Sequence, residues 1–467
     1  MSATTFFAKC ALLPSGWANN VLLNCSEQGV LVSVQADQGD VVPQQAVRVE
    51  GPLLPGMPNL HSHAFQRAFA GLSEYRNATL SNDSFWTWRK LMYQFAKAIT
   101  PAQLTAIARA LYIEMLQAGY TSVCEFHYLH HTPDGQPYAD DATLSTCLVE
   151  AASQVGIGLT LMPVLYQNSG FGGLAPIAGQ SRFLRNTDNM LALLARLKPL
   201  CEAQGGRVGV APHSLRAVTP QALTHLLQGL SSLDATAPIH IHIAEQMAEV
   251  HACVQWSGQR PVQWLLEHMP VDERWCLVHA THMTPEESAG AARSGAVAGI
   301  CPTTEANLGD GIFDAASWLS AGGAWGVGSD SHVCVNAAEE LMQFEYSQRL
   351  ATHRRNVLAT ERQHSVATAM MLSAVAGGAQ ASGRAVTGLA VGQQFDAVAL
   401  DPTHSVLAEL PTPQHMLSAH VFASHRQSAV DAVWVAGKQV VNHGRHAMAS
   451  QSAQAFVAAR RTLLASD

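Results

Sequence analysis

Short apolar runs of β character recur along the chain, but what separates them changes twice. In residues 1–52, Val21-Leu22-Leu23, Val30-Leu31-Val32-Ser33-Val34 and Ala46-Val47-Arg48-Val49 are divided only by turn residues, which predicts neighbouring strands without helices between them. Residues 392–446 have the same texture. Asp396-Ala397-Val398-Ala399-Leu400 is followed by Ala432-Val433-Trp434-Val435-Ala436 and Gln439-Val440-Val441, with Gly437-Lys438 expected as the hairpin turn. The long middle instead alternates apolar runs with helical segments, the pattern of parallel βα units. Eight strands are predicted, at 57–63, 120–126, 158–165, 207–212, 238–244, 276–280, 296–301 and 325–330.

Helix starts are written into the same stretch. Thr100-Pro101, Thr219-Pro220 and Thr284-Pro285 each place a capping threonine before a proline suited to the first helical position. Gln103 and Glu287 complete capping boxes at the first and third. Leu104, Ile107, Leu111 and Met115 then keep a helical stripe until Gly119. The expected class is α/β. A (β/α)8 TIM-type barrel over 53–391 is inserted into a small β-sandwich domain built from 1–52 and 392–446, with a C-terminal helix over 447–467. No G-x-G-x-x-G follows the first strand, which argues against an open dinucleotide-binding sheet.

Composition narrows the partners. The 467 residues are 48% hydrophobic and only 13% charged, so the chain can build a large core and is not intrinsically disordered. A net charge of −8 with no basic run disfavours nucleic acid and anionic membrane surfaces. No run of 18 apolar residues suggests a membrane span, and Lys9 interrupts the only apolar run near the start, where a secretory leader would lie. Nine scattered cysteines without a C-x-x-C pair point away from a disulfide scaffold or thiolate zinc site, so a soluble cytoplasmic protein is expected. The 22 histidines prompt a search for metal ligands.

Polar residues end several of the apolar strands. His61-Ser62-His63 closes the first predicted strand, and residues two apart share a face. Both imidazoles therefore reach the C-terminal mouth, where barrels of this kind hold their active sites and where two imidazoles can bind a divalent metal. His240-Ile241-His242-Ile243-Ala244-Glu245 ends the fifth strand, Val278-His279-Ala280 the sixth and Gly328-Ser329-Asp330 the eighth. Together they converge on one mouth and predict a metal site. His240 and His242 have the same parity; His242, nearer the strand end and three residues before Glu245, is the better ligand, with His240 in the layer beneath. His127, His130 and His131 are expected to face solvent or to support the site, and Trp264, Trp318, Trp325, Met370 and Met371 to pack.

With these residues in view, the sequence resembles the amidohydrolase superfamily, in its one-metal form, through Leu54-Pro55-Gly56-Met57-Pro58-Asn59-Leu60-His61-Ser62-His63 and its later partners. More narrowly it resembles the formimidoylglutamate deiminases of histidine degradation. The motifs are His61-Ser62-His63-Ala64-Phe65-Gln66-Arg67, Phe85-Trp86-Thr87-Trp88-Arg89, Glu125-Phe126-His127-Tyr128, Ala211-Pro212-His213-Ser214-Leu215-Arg216 and His242-Ile243-Ala244-Glu245-Gln246. The resemblance spans nearly the whole chain. It implies one zinc ion held by His61, His63, His242 and Asp330, with Glu245, His279 and Asp330 catalytic. It also implies substrate contacts from Gln66, Arg89, Tyr128, His213 and Arg216, and a homodimer. The third and fourth predicted strands hold no lysine of the kind that bridges two ions in the superfamily, which independently argues for one ion. Iron and manganese are also compatible with three histidines and an aspartate.

The residue types suit hydrolysis of a C–N bond. Bound zinc can supply hydroxide near neutrality, Asp330 can accept a proton, His279 can stabilise developing charge, and Glu245 can protonate the departing nitrogen. Two arginines at the rim suit a diacid, because guanidinium groups grip carboxylates bidentately. The resemblance implies hydrolysis of N-formimino-L-glutamate to N-formyl-L-glutamate and ammonia. A deaminase acting on a nucleobase-like ring and a non-catalytic metal-binding or sensor protein are the alternatives.

Overall fold

The computed structural model describes residues 4–39, 42–75, 85–424 and 427–465. The helix Phe85–Ala98 is among them, but the side chains of Phe85, Trp86 and Thr87, part of a motif quoted above, lie outside the described residues.

Eight parallel strand positions follow one another through the middle of the chain. They are Met57–Ser62, Tyr120–His127, Gly158–Leu165, Arg207–Val208 with Ala211–Pro212, Ile239–Ile243, Trp275–His279, Val297–Ile300 and Ala324–Val327. Almost every residue in them is buried, as expected for parallel strands covered by helices on the outside and packed side chains within. The first four positions form one ladder and the last four another. The ladders meet at two seams, each joined by an isolated parallel bridge, Val210 with Ile239 and Ser62 with Asp330. At the second seam the Asp330 N–H donates to the His61 carbonyl at 3.0 Å and the His63 N–H to the Asp330 carbonyl at 3.2 Å. The mouths of the first and eighth strands are thereby tied together. The fourth position is split at Gly209, where an added Cβ would lie 2.5 Å from both Met162 Sδ and the Pro238 carbonyl.

The three threonine caps form as the sequence predicts: Thr100, Thr219 and Thr284 accept from the N–H groups of Gln103, Ala222 and Glu287. Full capping boxes form at Thr100 and Thr284.

Both chain ends contribute to one nine-stranded sheet. The join is antiparallel pairing of Leu53–Pro55 with Ala397–Leu400. Successive residues face opposite ways: Leu53, Ala397 and Ala399 enter the sheet's own core, while Leu54 and Val398 join the core of the strand ring. Phe6 packs 4.3 Å from Phe395 and 5.9 Å from Trp434, ring to ring. Trp434 lies three strand positions from Phe6, about 14 Å in a flat sheet. The sheet therefore curls over its apolar face, which fits a small β domain. The hairpin turn falls one residue earlier than expected, at Ala436-Gly437 with φ of 46° and 75°, and Val435 pairs with Lys438. Both turn residues are left-handed, as the tightest hairpin turn requires. No described helix is long and apolar enough to cross a membrane.

Candidate active site

The polar residues at the strand ends meet. His61 Nε2 lies 3.0 Å from His63 Nε2 and 3.0 Å from His242 Nε2. Asp330 Oδ1 is 3.2 Å from His63 Nε2 and 3.4 Å from His61 Nε2. Three imidazole nitrogens gathered so closely offer lone pairs to a common point. Ligands about 2.0–2.1 Å from a tetrahedral ion would stand about 3.4 Å apart, so the cluster fits a divalent cation after small adjustment. His63 is oriented for this, because its Nδ1–H donates to the Phe126 carbonyl at 2.9 Å, which leaves Nε2 free to ligate. His240 faces the layer beneath and bonds the Ala381 carbonyl through Nε2 at 2.8 Å.

The backbone at this mouth is strained. Ala244, His279, Ala280, Asp330 and His332 all have positive φ, between 43° and 65°. Non-glycine residues hold such angles only where the surrounding structure imposes them, and such strain concentrates at functional sites.

The charges are strongly coupled. Burial works against ionisation of Asp330, but hydrogen bonds from His61 and His63 hold its carboxyl well below the usual range. Burial opposes charge on His279 too, yet Glu245, Glu305 and Asp330 together push the imidazole up to about 10. His279 Nε2 lies 3.7 Å from Glu245 Oε1 and 3.8 Å from Asp330 Oδ2, while Nδ1 faces Glu305 Oε1 at 3.2 Å. Glu305 also accepts the Cys301 N–H at 2.8 Å, so it fixes the ring from behind. Burial raises the Glu245 carboxyl above the ordinary glutamate range, with His279 opposing.

Beneath the first strand, Glu125 anchors the turn that carries His63. It accepts Ser62 Oγ at 2.6 Å, the Ala64 N–H at 2.7 Å and Tyr112 Oη at 3.2 Å. His332 links Ser62 Oγ, at 3.2 Å, to Ser329 Oγ, at 3.0 Å.

A cavity of about 540 Å³, counted with its open mouth, lies against the cluster. His63, His242, Glu245, His279 and Asp330 line it together with Gln66, Arg89, Tyr128, His213 and Arg216. Tyr128 stacks on His63 at 4.6 Å, with its hydroxyl 3.4 Å from His63 Nε2. The Arg89 guanidinium lies over the Tyr93 ring at 5.5 Å. Gln66 Oε1 and Arg216 Nε are buried without hydrogen-bond partners among the described residues. Unsatisfied polar atoms facing a cavity are what a polar ligand would complete.

Residues 53–440 match the model of the amidohydrolase family. The chain belongs to the amidohydrolase family. Residues 3–40 also match the N-terminal domain of formimidoylglutamate deiminase HutF. This amidohydrolase is 51% identical over 455 residues to a formimidoylglutamate deiminase of Pseudomonas aeruginosa, spanning 97% of this chain and 98% of that protein. It is 27% identical over 311 residues to an 8-oxoguanine deaminase of the same species, 64% of each chain. The crystal structure of an amidohydrolase from Brucella melitensis has 45% identity and a TM-score of 0.93, covering 99% of this chain and all of that one (100%).

Three histidines expected near the site stay outside the cluster. His127 and His130 are buried rather than solvent-facing, and His130 Nε2 and His131 Nε2 bond the carbonyls of Val164 and Leu184 at 2.9 and 2.6 Å. Trp264, Trp318, Trp325, Met370 and Met371 are buried, as expected. Sequence reasoning gave Glu125 no role beyond its place in a motif and missed Glu305, Tyr93 and Tyr166. Tyr166 was detectable, since it directly follows the third strand, Gly158–Leu165, at the mouth.

Proposed function

We propose that this amidohydrolase hydrolyses N-formimino-L-glutamate to N-formyl-L-glutamate and ammonia, a reading supported by its 51% identity to the Pseudomonas aeruginosa protein named formimidoylglutamate deiminase. One observation carries the reading: a ligand cluster with Glu245 and His279 beside it opens into the same cavity as the arginines Arg89 and Arg216. That combination matches an amidine joined to a diacid. In our reading His61, His63, His242 and Asp330 hold one zinc ion, a choice supported by three imidazoles and one carboxylate. Such an ion lowers the pKa of water from about 16 to about 7 and so provides the acidity the reaction needs.

The chain's own groups would do the rest. Asp330, ionised and with Oδ2 directed toward His279, accepts a proton from the attacking water. His279, cationic and locked by Glu305, steers the attacking oxygen and stabilises negative charge on it as it adds to the amidine carbon. Glu245, held 3.7 Å from His279, passes a proton to the nitrogen that leaves as ammonia. Tyr128, His213 and Gln66 orient the substrate, and Arg89 and Arg216 receive its carboxylates. The reading includes a cytoplasmic setting, supported by scattered cysteines, and a homodimer, supported by the resemblance alone.

The test is ammonia release by metal-loaded protein from a panel of formimino amino acids and aminopurines, with Glu245→Ala as the control. Selective turnover of the formimino diacid supports the proposal. Preference for an aminopurine would install the ring-deaminase reading, and no release from any compound would favour a non-catalytic metal protein.

A further inference from the structure

We propose that Tyr93 and Tyr166 donate hydrogen bonds to a substrate carboxylate, and that Gln180 turns their hydroxyl protons into the cavity. The inference rests on the diacid reading above and extends it to residues that reading does not use.

Gln180 is wholly buried at the end of the short turn Ala178–Gln180. Its two amide ends are chemically distinct and their surroundings fix which is which. Oε1 accepts the Ile177 N–H at 2.9 Å, so the opposite end is the NH2 donor. That donor reaches Tyr166 Oη at 2.8 Å and Tyr93 Oη at 3.4 Å. Both hydroxyls are thus acceptors toward Gln180 and keep their own protons for another partner. Should one hydroxyl donate to the other, one proton still remains. Among the described residues no other acceptor takes it, and both tyrosines line the cavity.

The surroundings select the ligand. Burial and the neighbouring Tyr93 raise the Tyr166 phenol, while Arg216 and Arg89 both oppose the rise, which places Tyr166 within the field of both guanidinium groups. Phenol donors flanked by cations suit a carboxylate. They would repel the amidinium end of the substrate, whose N–H groups need acceptors such as Glu245. Tyr93 comes from the helix Phe85–Ala98 and Tyr166 from the end of the third strand. Gln180 therefore also fixes how far the carboxylate sits from the ligand cluster, and so the chain length accepted.

The experiment combines Tyr166→Phe, Tyr93→Phe and Gln180→Met with two substrates, N-formimino-L-glutamate and analogues lacking one carboxylate. Glutarate binding, measured by calorimetry, is the second readout. Losing a hydrogen bond to a charged group should lower kcat/KM for the diacid about 10- to 100-fold, mainly through KM, with glutarate binding weakened in parallel. With the analogue lacking the matching carboxylate, Tyr166→Phe should add almost nothing further. Gln180→Met should raise KM and shrink the effect of Tyr166→Phe, whereas a purely structural glutamine would lower thermal stability and leave that coupling intact. Equal losses with full and truncated substrates, or phenylalanine variants within about twofold of wild type, overturn the inference. The two proposals fail separately. Wild type that turns over the diacid with unaffected phenylalanine variants sinks only the tyrosines. Wild type that releases no ammonia, but binds glutarate in a Tyr166-dependent way, sinks only the assigned reaction.

Discussion

Two strands of the ring carry the same histidine spacing and use it differently. In the first strand, Met57–Ser62, His61 is the penultimate residue and His63 lies just beyond the end. In the fifth, Ile239–Ile243, His242 is penultimate and His240 lies two residues deeper. The pair is thus shifted inward by two residues, about 7 Å along the strand. His61 and His242 reach the same level and touch, whereas His240 turns to the Ala381 carbonyl. Three residues past the outer histidine of each pair stands a polar side chain, Gln66 after His63 and Glu245 after His242. A motif alone does not bring an imidazole to the mouth. Its register against the strand end does.

The comparison breaks most easily at the mouth level. His242→Asn should reduce bound metal far below one ion per chain and cost more turnover than the about 10- to 100-fold expected for an outer partner. Elemental analysis with steady-state rates checks this, and unchanged metal content would sink the ligand assignment. Next in size is Glu245→Gln, which should keep the metal but lose about 10²-fold in kcat, because the amide cannot move a proton. A near-normal rate would remove Glu245 from proton transfer. Its counterpart Gln66→Met should lower kcat/KM only about 10-fold, since one neutral hydrogen bond is at stake. A loss equal to that of Glu245→Gln would mean the two turns do the same chemistry. Smallest in activity is His240→Ala, which should leave metal and kcat close to wild type. It should destabilise the fold by about 1–3 kcal/mol by stranding the buried Ala381 carbonyl. Denaturant unfolding measures this, and metal loss here would erase the distinction between the two pairs.

The same logic explains what the sequence made legible. All eight strand positions were readable because strands buried on both faces are short unbroken apolar runs. The break at Gly209 was not, because it depends on Met162 and Pro238 crowding in from neighbouring strands. The hairpin turn was misplaced by one residue because Ala436 takes a left-handed conformation usually left to glycine or asparagine. In the site, the residues at strand ends were readable from parity and apolar context. Glu305 was not. It leaves the helix Pro302–Leu308 to reach His279, a contact made by folding and carried by no local pattern. Tyr93 likewise reaches the cavity from a capping helix, whose placement over the mouth no periodicity encodes.

The antiparallel join between Leu53–Pro55 and Ala397–Leu400 has a consequence for how the molecule is made. The strand Leu53–Pro55 is synthesised well before its partner, which emerges some 340 residues later. At about 5–20 residues per second, the early strands wait roughly 17 to 70 s on the ribosome with an open edge. During that interval the whole ring of parallel strands must assemble, itself a slow, non-local process. An unpaired strand edge is a template for pairing with another chain for as long as it stays open. Once the join closes, it brings the first and last parts of the chain into one sheet, so a permuted chain opened within the ring would have its β strands contiguous and ready to pair during synthesis.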